Sequence, residues 1–106
     1  MILGGAGNDL LTGGQGDDTL TGGVGGYDRF IFAAGFGNDV ITDFEAGSKA
    51  GDMIVMSKAV FANLDSLLAA STQVGSDVVI AATGSDSITL QNVTLTTLHT
   101  NDFSFV

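Results

Sequence analysis

Apolar and polar residues alternate with a period of nine over the first part of the chain. Gly4–Thr12 (GGAGNDLLT) is followed directly by Gly13–Thr21 (GGQGDDTLT), and both fit the pattern G-G-x-G-x-D-x-U-x, in which U is a large apolar residue. A third copy starts at Gly22 and has one extra residue before Asp28, and a fourth, degenerate copy spans Ala34–Thr42. A fixed period of this kind indicates an architecture in which each copy stacks on its neighbours.

Each copy predicts a turn followed by a short strand. Glycine adopts the backbone angles that tight turns need, and its missing Cβ lets carbonyl groups crowd around an ion. The three residues after each turn are too few for an independent strand, so two copies are expected to form one coil of turn, strand, reversed turn and strand. The residues at the U position, which we expect to point into the coil, are Ile2, Leu11, Leu20, Phe30 and Ile41. Because about three copies are needed to bury a continuous core, we also expect further copies upstream.

Longer strands and one helix are predicted after the repeats. The predicted strands are Phe30–Phe32, Val40–Phe44, Asp52–Met56, Asp77–Ala81, Ser87–Leu90 and Asp102–Val106, with polar turns at Glu45–Gly51 and Thr83–Asp86. Apolar residues at helical spacing predict a short amphipathic helix over Ala59–Thr72, with Ser57 at its N-terminus and Gly75 ending it. The fold class is therefore all-β with one short helix, divided into repeats at 1–44 and a C-terminal capping region at 45–106.

The composition points to a cation as the partner. The formal net charge is −9, and eleven of the twelve acidic residues are Asp, which suits a short carboxylate on a tight turn. Nucleic acid and anionic membrane surfaces attract Lys and Arg, of which there are only three, so neither is expected as a partner. The chain has no Cys, and we find neither a signal peptide nor an apolar run near the roughly 20 residues that span a bilayer.

The repeats resemble those of secreted bacterial RTX (repeats-in-toxin) proteins, such as serralysin-type proteases, alginate-modifying enzymes and haemolysin-type calcium-binding proteins. Gly37–Phe44 (GNDVITDF) is similar to the motif that follows the repeats in that family, and Glu45–Ile54 resembles its next segment with a longer Ser48–Gly51 stretch. The resemblance implies a parallel β-roll with Ca²⁺ between stacked turns along both edges. It also implies an extracellular protein exported by type I secretion machinery, with Asp102–Val106 similar to one form of the C-terminal export signal.

Calcium chemistry selects the candidate ligands. Ca²⁺ takes six to eight oxygen ligands, more than one turn can supply, so two turns stacked one coil apart must share each ion. Gly4–Asp9 is expected to face Gly22–Asp28, and Gly13–Asp18 to face Ala34–Asp39. The predicted carboxylate ligands are Asp9, Asp18, Asp28 and Asp39, with Asp43 and Asp52 for a further site at the end of the roll. The predicted turn ligands are Gly4, Ala6, Gly13, Gln15, Gly22 and Val24. The extra residue before Asp28 is expected to shift its carboxylate.

The remaining polar residues suggest no catalytic site. Asn8 and Asp17 precede the ligand position and are interpreted as solvated turn residues, Asp65 as a surface residue of the helix, and Asp86 as part of the turn after Thr83. His99 is the only histidine, so neither a zinc site nor a general base is expected there. No pattern sets a base beside a nucleophile.

The leading interpretation is a non-catalytic module that binds calcium, folds on binding and serves secretion. Sites in extracellular modules typically have dissociation constants of about 10⁻⁴–10⁻³ M, so the chain would stay unfolded inside the cell and fold outside. One alternative is an accessory module of a polysaccharide-acting enzyme, which holds an anionic chain through bridging calcium. The other is the terminus of an adhesin that calcium stiffens.

Overall fold

The computed structural model describes residues 2–23, 26–33, 35–44, 52–82, 86–98 and 100–106. Within these ranges the strands are β1 (Ile2–Leu3), β2 (Leu10–Thr12), β3 (Thr19–Thr21), β4 (Arg29–Phe32), β5 (Asn38–Ile41), β6 (Met53–Met56), β7 (Ser71–Val74), β8 (Asp77–Ala81), β9 (Ser87–Leu90) and β10 (Phe103–Phe105). One α-helix, α1 (Leu64–Ala69), and 3₁₀ turns at Leu95–Thr97 and Thr100–Asp102 complete the described elements. No helix in these ranges is long and apolar enough to cross a membrane.

Successive strands alternate between two sheets. One sheet has the order β1-β3-β5-β9-β8-β7 and the other has the order β10-β6-β4-β2. All strand pairs in the second sheet are parallel, as are the pairs β1–β3, β3–β5 and β5–β9 in the first. Among the described strands, only the hairpin β7–β8 and the pair β8–β9 are antiparallel. The predicted parallel β-roll of coils with reversed turns is confirmed.

The apolar residue of each repeat forms the core of the roll. Leu20 lies between Ile2 and Ile41 in one sheet, and Phe30 lies between Leu11 and Ile54 in the other. Leu11, Leu20, Phe30 and Ile41 are buried, as their position in each repeat predicts, while Ile2 at the first strand of the roll is half-buried. The register follows from the sequence because each coil repeats the same inward position.

The C-terminal residues close the roll by extending both sheets. β9 lies parallel to β5, and β10 lies parallel to β6. Phe32 packs edge-on against Phe36 with ring centroids 5.1 Å apart, and Phe30 contacts Phe44 at 6.1 Å. These aromatic rings join the repeats to the apolar side chains of β8 and β9 in one hydrophobic core. Both sheets and this core therefore contain residues from before and after position 44, where the repeat pattern of the sequence ends.

The helix is shorter than the predicted Ala59–Thr72 and begins later. Asn63 caps it, since its side chain accepts a hydrogen bond from Ser66 N–H (2.9 Å) while the Ser66 hydroxyl accepts one from Asn63 N–H (3.3 Å). This reciprocal pair satisfies two main-chain donors at the helix start. Ser57, the predicted cap, instead starts a separate turn in which its carbonyl accepts N–H groups of Val60 and Phe61.

Gly75 was wrongly predicted to end the helix. It lies at φ +61° in the tight turn between β7 and β8, and the helix ends at Ala69. Ser71 and Thr72, which were predicted to be helical, belong to β7 and pair with Ile80 and Val79 of β8. Pairing with a strand that buries Val78 and Ile80 outweighs the weak local helix signal.

Several predicted features lie outside the described residues: the turn residues Val24 and Ala34, the segments 45–51 and 83–85, and His99.

Candidate metal centre

The turns of the repeats stack along two edges of the roll. On the first edge, the turn Gly4–Asp9 lies beside the turn that ends at Asp28, and Arg29 N–H donates to the Asp9 carbonyl at 2.8 Å. On the second edge, the turn Gly13–Asp18 lies beside the turn that ends at Asp39, and Val40 N–H donates to the Asp18 carbonyl at 2.9 Å. The structure thus brings together the two pairs of turns that the repeat phase predicts.

The repeat carboxylates form a column along each edge. On the first edge, Asp28 Oδ1 accepts a hydrogen bond from Asp9 N–H (3.0 Å), and Asp52 Oδ1 accepts one from Asp28 N–H (3.1 Å). On the second edge, Asp39 Oδ1 accepts from Asp18 N–H at 2.8 Å. Asp28 and Asp39 occupy equivalent places, each 1% exposed, so the extra residue before Asp28 does not displace its carboxylate.

The second oxygen of each repeat carboxylate is buried without a partner. In the described part of the chain, no hydrogen bond reaches Oδ2 of Asp9, Asp18, Asp28 or Asp39. A buried carboxylate oxygen with neither donor nor cation is strongly unfavourable, by several kcal/mol for an ionised group. Four such oxygens at equivalent places in four repeats indicate that the fold is built around a positive charge.

Each of the first three orphaned oxygens lies over the first glycine of its own repeat. A Cβ on Gly4 would lie 2.6 Å from Asp9 Oδ2 and 2.6 Å from the carbonyl oxygen of Gly22 in the facing turn. A Cβ on Gly13 would lie 2.6 Å from Asp18 Oδ2, and one on Gly22 would overlap Asp28 Oδ2. The missing side chain at this position therefore lets carboxylate and carbonyl oxygens from two coils share one small space.

This oxygen set fits calcium. Among the described residues no three acidic or histidine side chains converge on one point, so a cation held here must draw most of its ligands from main-chain carbonyls. Ca²⁺ accepts such mixtures of carboxylate and carbonyl oxygens, whereas zinc prefers Cys and His. Gly4, Gly13 and Gly22 line the shared space, while Ala6 and Gln15 lie in the exposed middle of their turns.

Asp43 holds the turn of the third repeat from the next coil. Its Oδ1 accepts Gly22 N–H at 2.9 Å and its Oδ2 accepts Gly23 N–H at 2.8 Å. Asp52, 4% exposed, continues the column of Asp9 and Asp28. Both residues of the predicted end site thus lie on the first edge, where Asp43 contacts the main chain of the turn and Asp52 follows the repeat carboxylates.

Burial and neighbouring charge raise the pKa of two repeat carboxyls, those of Asp39 and Asp28. Burial raises the pKa of Asp39 to about 6, the carboxylates of Asp18, Asp17 and Asp86 add to this, and the hydrogen bond from Asp18 N–H opposes it. Burial also raises the pKa of Asp28, with repulsion from Asp9 and Asp43 in the same direction. Without a cation, these carboxyls are held in an environment that disfavours their charge.

The calcium-free protein should therefore be more stable in mild acid than at neutral pH. The folded-state pKa of Asp39 is about 6 against 3.8 for the ordinary group. The contribution of Asp39 to the free energy of unfolding is therefore fully present below pH 3.8 and is lost as pH rises through 6. This loss is on the order of 2 kcal/mol. The folded fraction of calcium-stripped protein, read from far-UV circular dichroism at pH 4.5 and pH 7.5, measures the difference, which Asp39→Asn should reduce and saturating calcium should abolish. A folded fraction that rises from pH 4.5 to pH 7.5 without calcium would contradict this prediction.

Three polar residues join separate parts of the fold, although the sequence predicts them to lie in solvent or in a local turn. Asn8 Oδ1 accepts Tyr27 N–H at 2.7 Å, and Asp17 Oδ1 accepts Asn38 N–H at 2.9 Å, so both hold adjacent turns together. Asp86 accepts N–H groups of Gly35 (2.9 Å) and Gly37 (3.0 Å). The presence of Asn or Asp at the same repeat position could have revealed the first two, whereas no local signal marks Asp86. Asp65 is exposed on α1, as predicted.

Comparison with known families agrees with this geometry. The family model of the RTX calcium-binding nonapeptide repeat matches residues 1–26. The N-terminal segment is therefore similar to RTX calcium-binding repeats. The matched repeat is a calcium-binding one, which agrees with the cation that the oxygen set of the two edges fits.

A solved structure is similar to nearly the whole fold. The chain resembles the crystal structure of the extracellular lipase LipA from Serratia marcescens, with a TM-score of 0.60 and 25% sequence identity. The match covers 97% of this chain but only 21% of the lipase chain. No curated protein sequence matches this chain. The structural likeness therefore includes the capping strands that follow the RTX repeats.

Proposed function

We propose that this chain is a non-catalytic module of a secreted bacterial protein, and that calcium binding drives the folding of its RTX repeats. The observation that carries the proposal is the set of four buried, unpaired Oδ2 atoms of the repeat Asp residues. They lie at equivalent positions along both edges, where only a cation would offset their burial.

The two edges supply different ligand pairs. On the first edge, the carboxylates of Asp9 and Asp28 act with the turns that contain Gly4, Ala6, Gly22 and Val24, and Asp52 extends the column. On the second edge, Asp18 and Asp39 act with the turn that contains Gly13 and Gln15. Asp43 serves the first edge by holding the third turn through two N–H groups.

Binding and folding form one equilibrium in this proposal. A ligand that binds only the folded state stabilises it by RT ln(1 + [L]/Kd), and the repulsion among buried carboxylates opposes folding until the ligand arrives. With dissociation constants of about 10⁻⁴–10⁻³ M, typical of extracellular modules, the repeats would fold only where calcium is abundant. The likeness to an extracellular lipase supports this location.

If the C-terminal residues carry the type I export signal, export has to precede folding. Asp102 is 1% exposed and Phe103 is 6% exposed. Val106 N–H donates to the Met56 carbonyl at 2.9 Å, and the Val106 carbonyl accepts Lys58 N–H at 3.0 Å. A receptor could read this strand only while β6 and β10 are apart. The residues 45–106 thus act as both the cap of the roll and the carrier of the proposed signal.

A calcium titration followed by far-UV circular dichroism tests the proposal, with magnesium as the control ion. We expect a cooperative gain of β-structure with calcium and little change with magnesium, which keeps its water ligands and demands octahedral geometry. The Asp65→Asn variant, changed on the exposed face of α1, should titrate like the unaltered protein. An identical β-rich spectrum in chelator and in calcium would refute calcium-driven folding.

A further inference from the structure

The turn of the fourth repeat is held by a carboxylate from outside the repeats. Asp86 Oδ2 accepts the Gly35 N–H at 2.9 Å, and Asp86 Oδ1 accepts the Gly37 N–H at 3.0 Å. Asp86 is 51 positions from Gly35 and 49 positions from Gly37 in the chain. Both oxygens of one side chain thus hold one turn of the second edge.

Asp86 is itself fixed in place by the sheet. Its carbonyl accepts Ala82 N–H at 2.9 Å, and the next residue, Ser87, donates its N–H to the Gly37 carbonyl at 2.8 Å. The Ser87 hydroxyl also bonds to Asn38 Oδ1 at 2.8 Å, and Ser87 pairs with Asn38 where β9 meets β5. The carboxylate is therefore presented to the turn by a strand that belongs to the cap.

On the first edge a carboxylate also holds a turn through two main-chain N–H groups, at the first two positions of its repeat. There Asp43 accepts Gly22 N–H and Gly23 N–H of the third turn through its two oxygens. Turns inside an array are held by the next coil, but β9 takes the place of another coil beside the fourth repeat. Asp86 thus holds the fourth turn from the cap, as Asp43 holds the third turn from the next coil.

Holding an N–H also orients the carbonyl of the same peptide group. Because a trans peptide is planar with its N–H and C=O pointing in opposite directions, the bond from Gly37 N–H to Asp86 turns the Phe36 carbonyl away from Asp86. Phe36 is the third residue of its repeat, the position that Ala6 and Gln15 hold in the first two copies. Asp86 thereby sets the direction of a carbonyl at a proposed ligand position.

We propose that Asp86 is a positioning residue for calcium binding on the second edge, where its carboxylate orders the fourth turn before the ion arrives. This inference rests on the proposed function and adds a residue from the cap to it. Because both carboxylate oxygens already accept main-chain hydrogen bonds, Asp86 acts through the turn rather than as a ligand. The cap then contributes directly to the calcium affinity of the repeats.

The test compares Asp86→Asn and Asp86→Ala with Asp77→Asn in the full chain. Asp77 is a matched control, since its carboxylate also accepts a main-chain N–H in the cap, from Asn92 at 2.9 Å, and lies on β8, which pairs with the cap strands β7 and β9. Amide hydrogen exchange at saturating calcium and the calcium midpoint by circular dichroism are measured for each. Asp86→Asn keeps the shape of the side chain and one acceptor oxygen, so it remains informative if the alanine variant does not fold.

For the Asp86 variants we expect Gly35 and Gly37 amides to exchange at least tenfold faster, with Gly22 and Gly23 unchanged. The calcium midpoint should rise about tenfold, as the loss of hydrogen bonds to a charged acceptor implies, and saturating calcium should restore the β-rich spectrum of Asp86→Asn. Exchange and midpoint within twofold of the unaltered protein would overturn the inference, and so would equal acceleration at Gly22 and Gly23. If calcium does not change the circular dichroism spectrum of the unaltered protein, the proposed function fails. The positioning role is rejected separately if the Gly35 amide exchanges slowly and Asp86→Asn leaves that rate unchanged.

Discussion

Replacing Gly23 with alanine is expected to stop the turns of the first edge from stacking. Gly23 has φ +104°, and a Cβ there would overlap the carbonyl oxygen of Gly5 in the facing turn and lie 2.9 Å from its carbonyl carbon. Because both atoms are main chain, neither can move aside as a side chain would. The left-handed backbone and the overlap together should lower the free energy of unfolding by about 3 kcal/mol or more.

Gly14→Ala is the matched control for this prediction. Gly14 occupies the same position of the second repeat with φ +81°, but a Cβ there meets nothing within 4 Å. Gly14→Ala should therefore lower the free energy of unfolding only by the cost of a left-handed backbone at alanine, about 1–2 kcal/mol. Urea unfolding of both variants at saturating calcium measures the two costs. Equal losses would show that contact between stacked turns contributes little to stability.

Asp28→Asn is expected to have opposite effects with and without calcium. Asp28 stands at the centre of the first-edge column, between the N–H of Asp9 and the carboxylate of Asp52, and its Oδ2 is buried and unpaired. An amide keeps the acceptor for Asp9 N–H but removes the charge and one oxygen ligand. The calcium midpoint should therefore rise by about tenfold or more, since ligand charge tunes calcium affinity.

In chelator the same variant should be more stable than the unaltered protein. Burial and the charges of Asp9 and Asp43 raise the pKa of Asp28, so the neutral amide avoids a penalty that the ionised carboxylate bears at neutral pH. Isothermal titration calorimetry with calcium measures the first effect, and the folded fraction in chelator, read from far-UV circular dichroism, measures the second, with Asp65→Asn as the control. A loss of stability in both conditions would mean that Asp28 serves the fold by packing rather than as a charge that calcium neutralises.

The two variants test different parts of the same site. Gly23→Ala removes the close approach that brings carbonyl oxygens of two turns together, and Asp28→Asn removes negative charge from the space between them. Calcium needs both, because it takes six to eight oxygens and no three carboxylates converge within the described residues. Excess calcium should offset the second change by mass action more readily than the first.

The repeats could be predicted from the sequence because their period is local. The large apolar position of each copy lies on the inward face, so the repeat pattern alone assigns Leu11, Leu20, Phe30 and Ile41 to the core, and all four are buried. The same repeat sets the first three Asp residues over their own glycines, and it sets Asp28 and Asp39 beside the repeat one coil earlier. A regular period thus determines register, burial and the position of the oxygen ligands together.

The cap depended on the tertiary structure because no period connects its residues to the roll. Asp52 is 24 residues from Asp28 yet joins its column, and Asp86 reaches a turn about fifty residues away. Gly75 and Thr72 looked helical or helix-ending locally, but pairing of β7 with β8 decided their conformation. Such contacts form when distant segments bury a shared core, and their free energy exceeds the small local propensities that a sequence pattern reports.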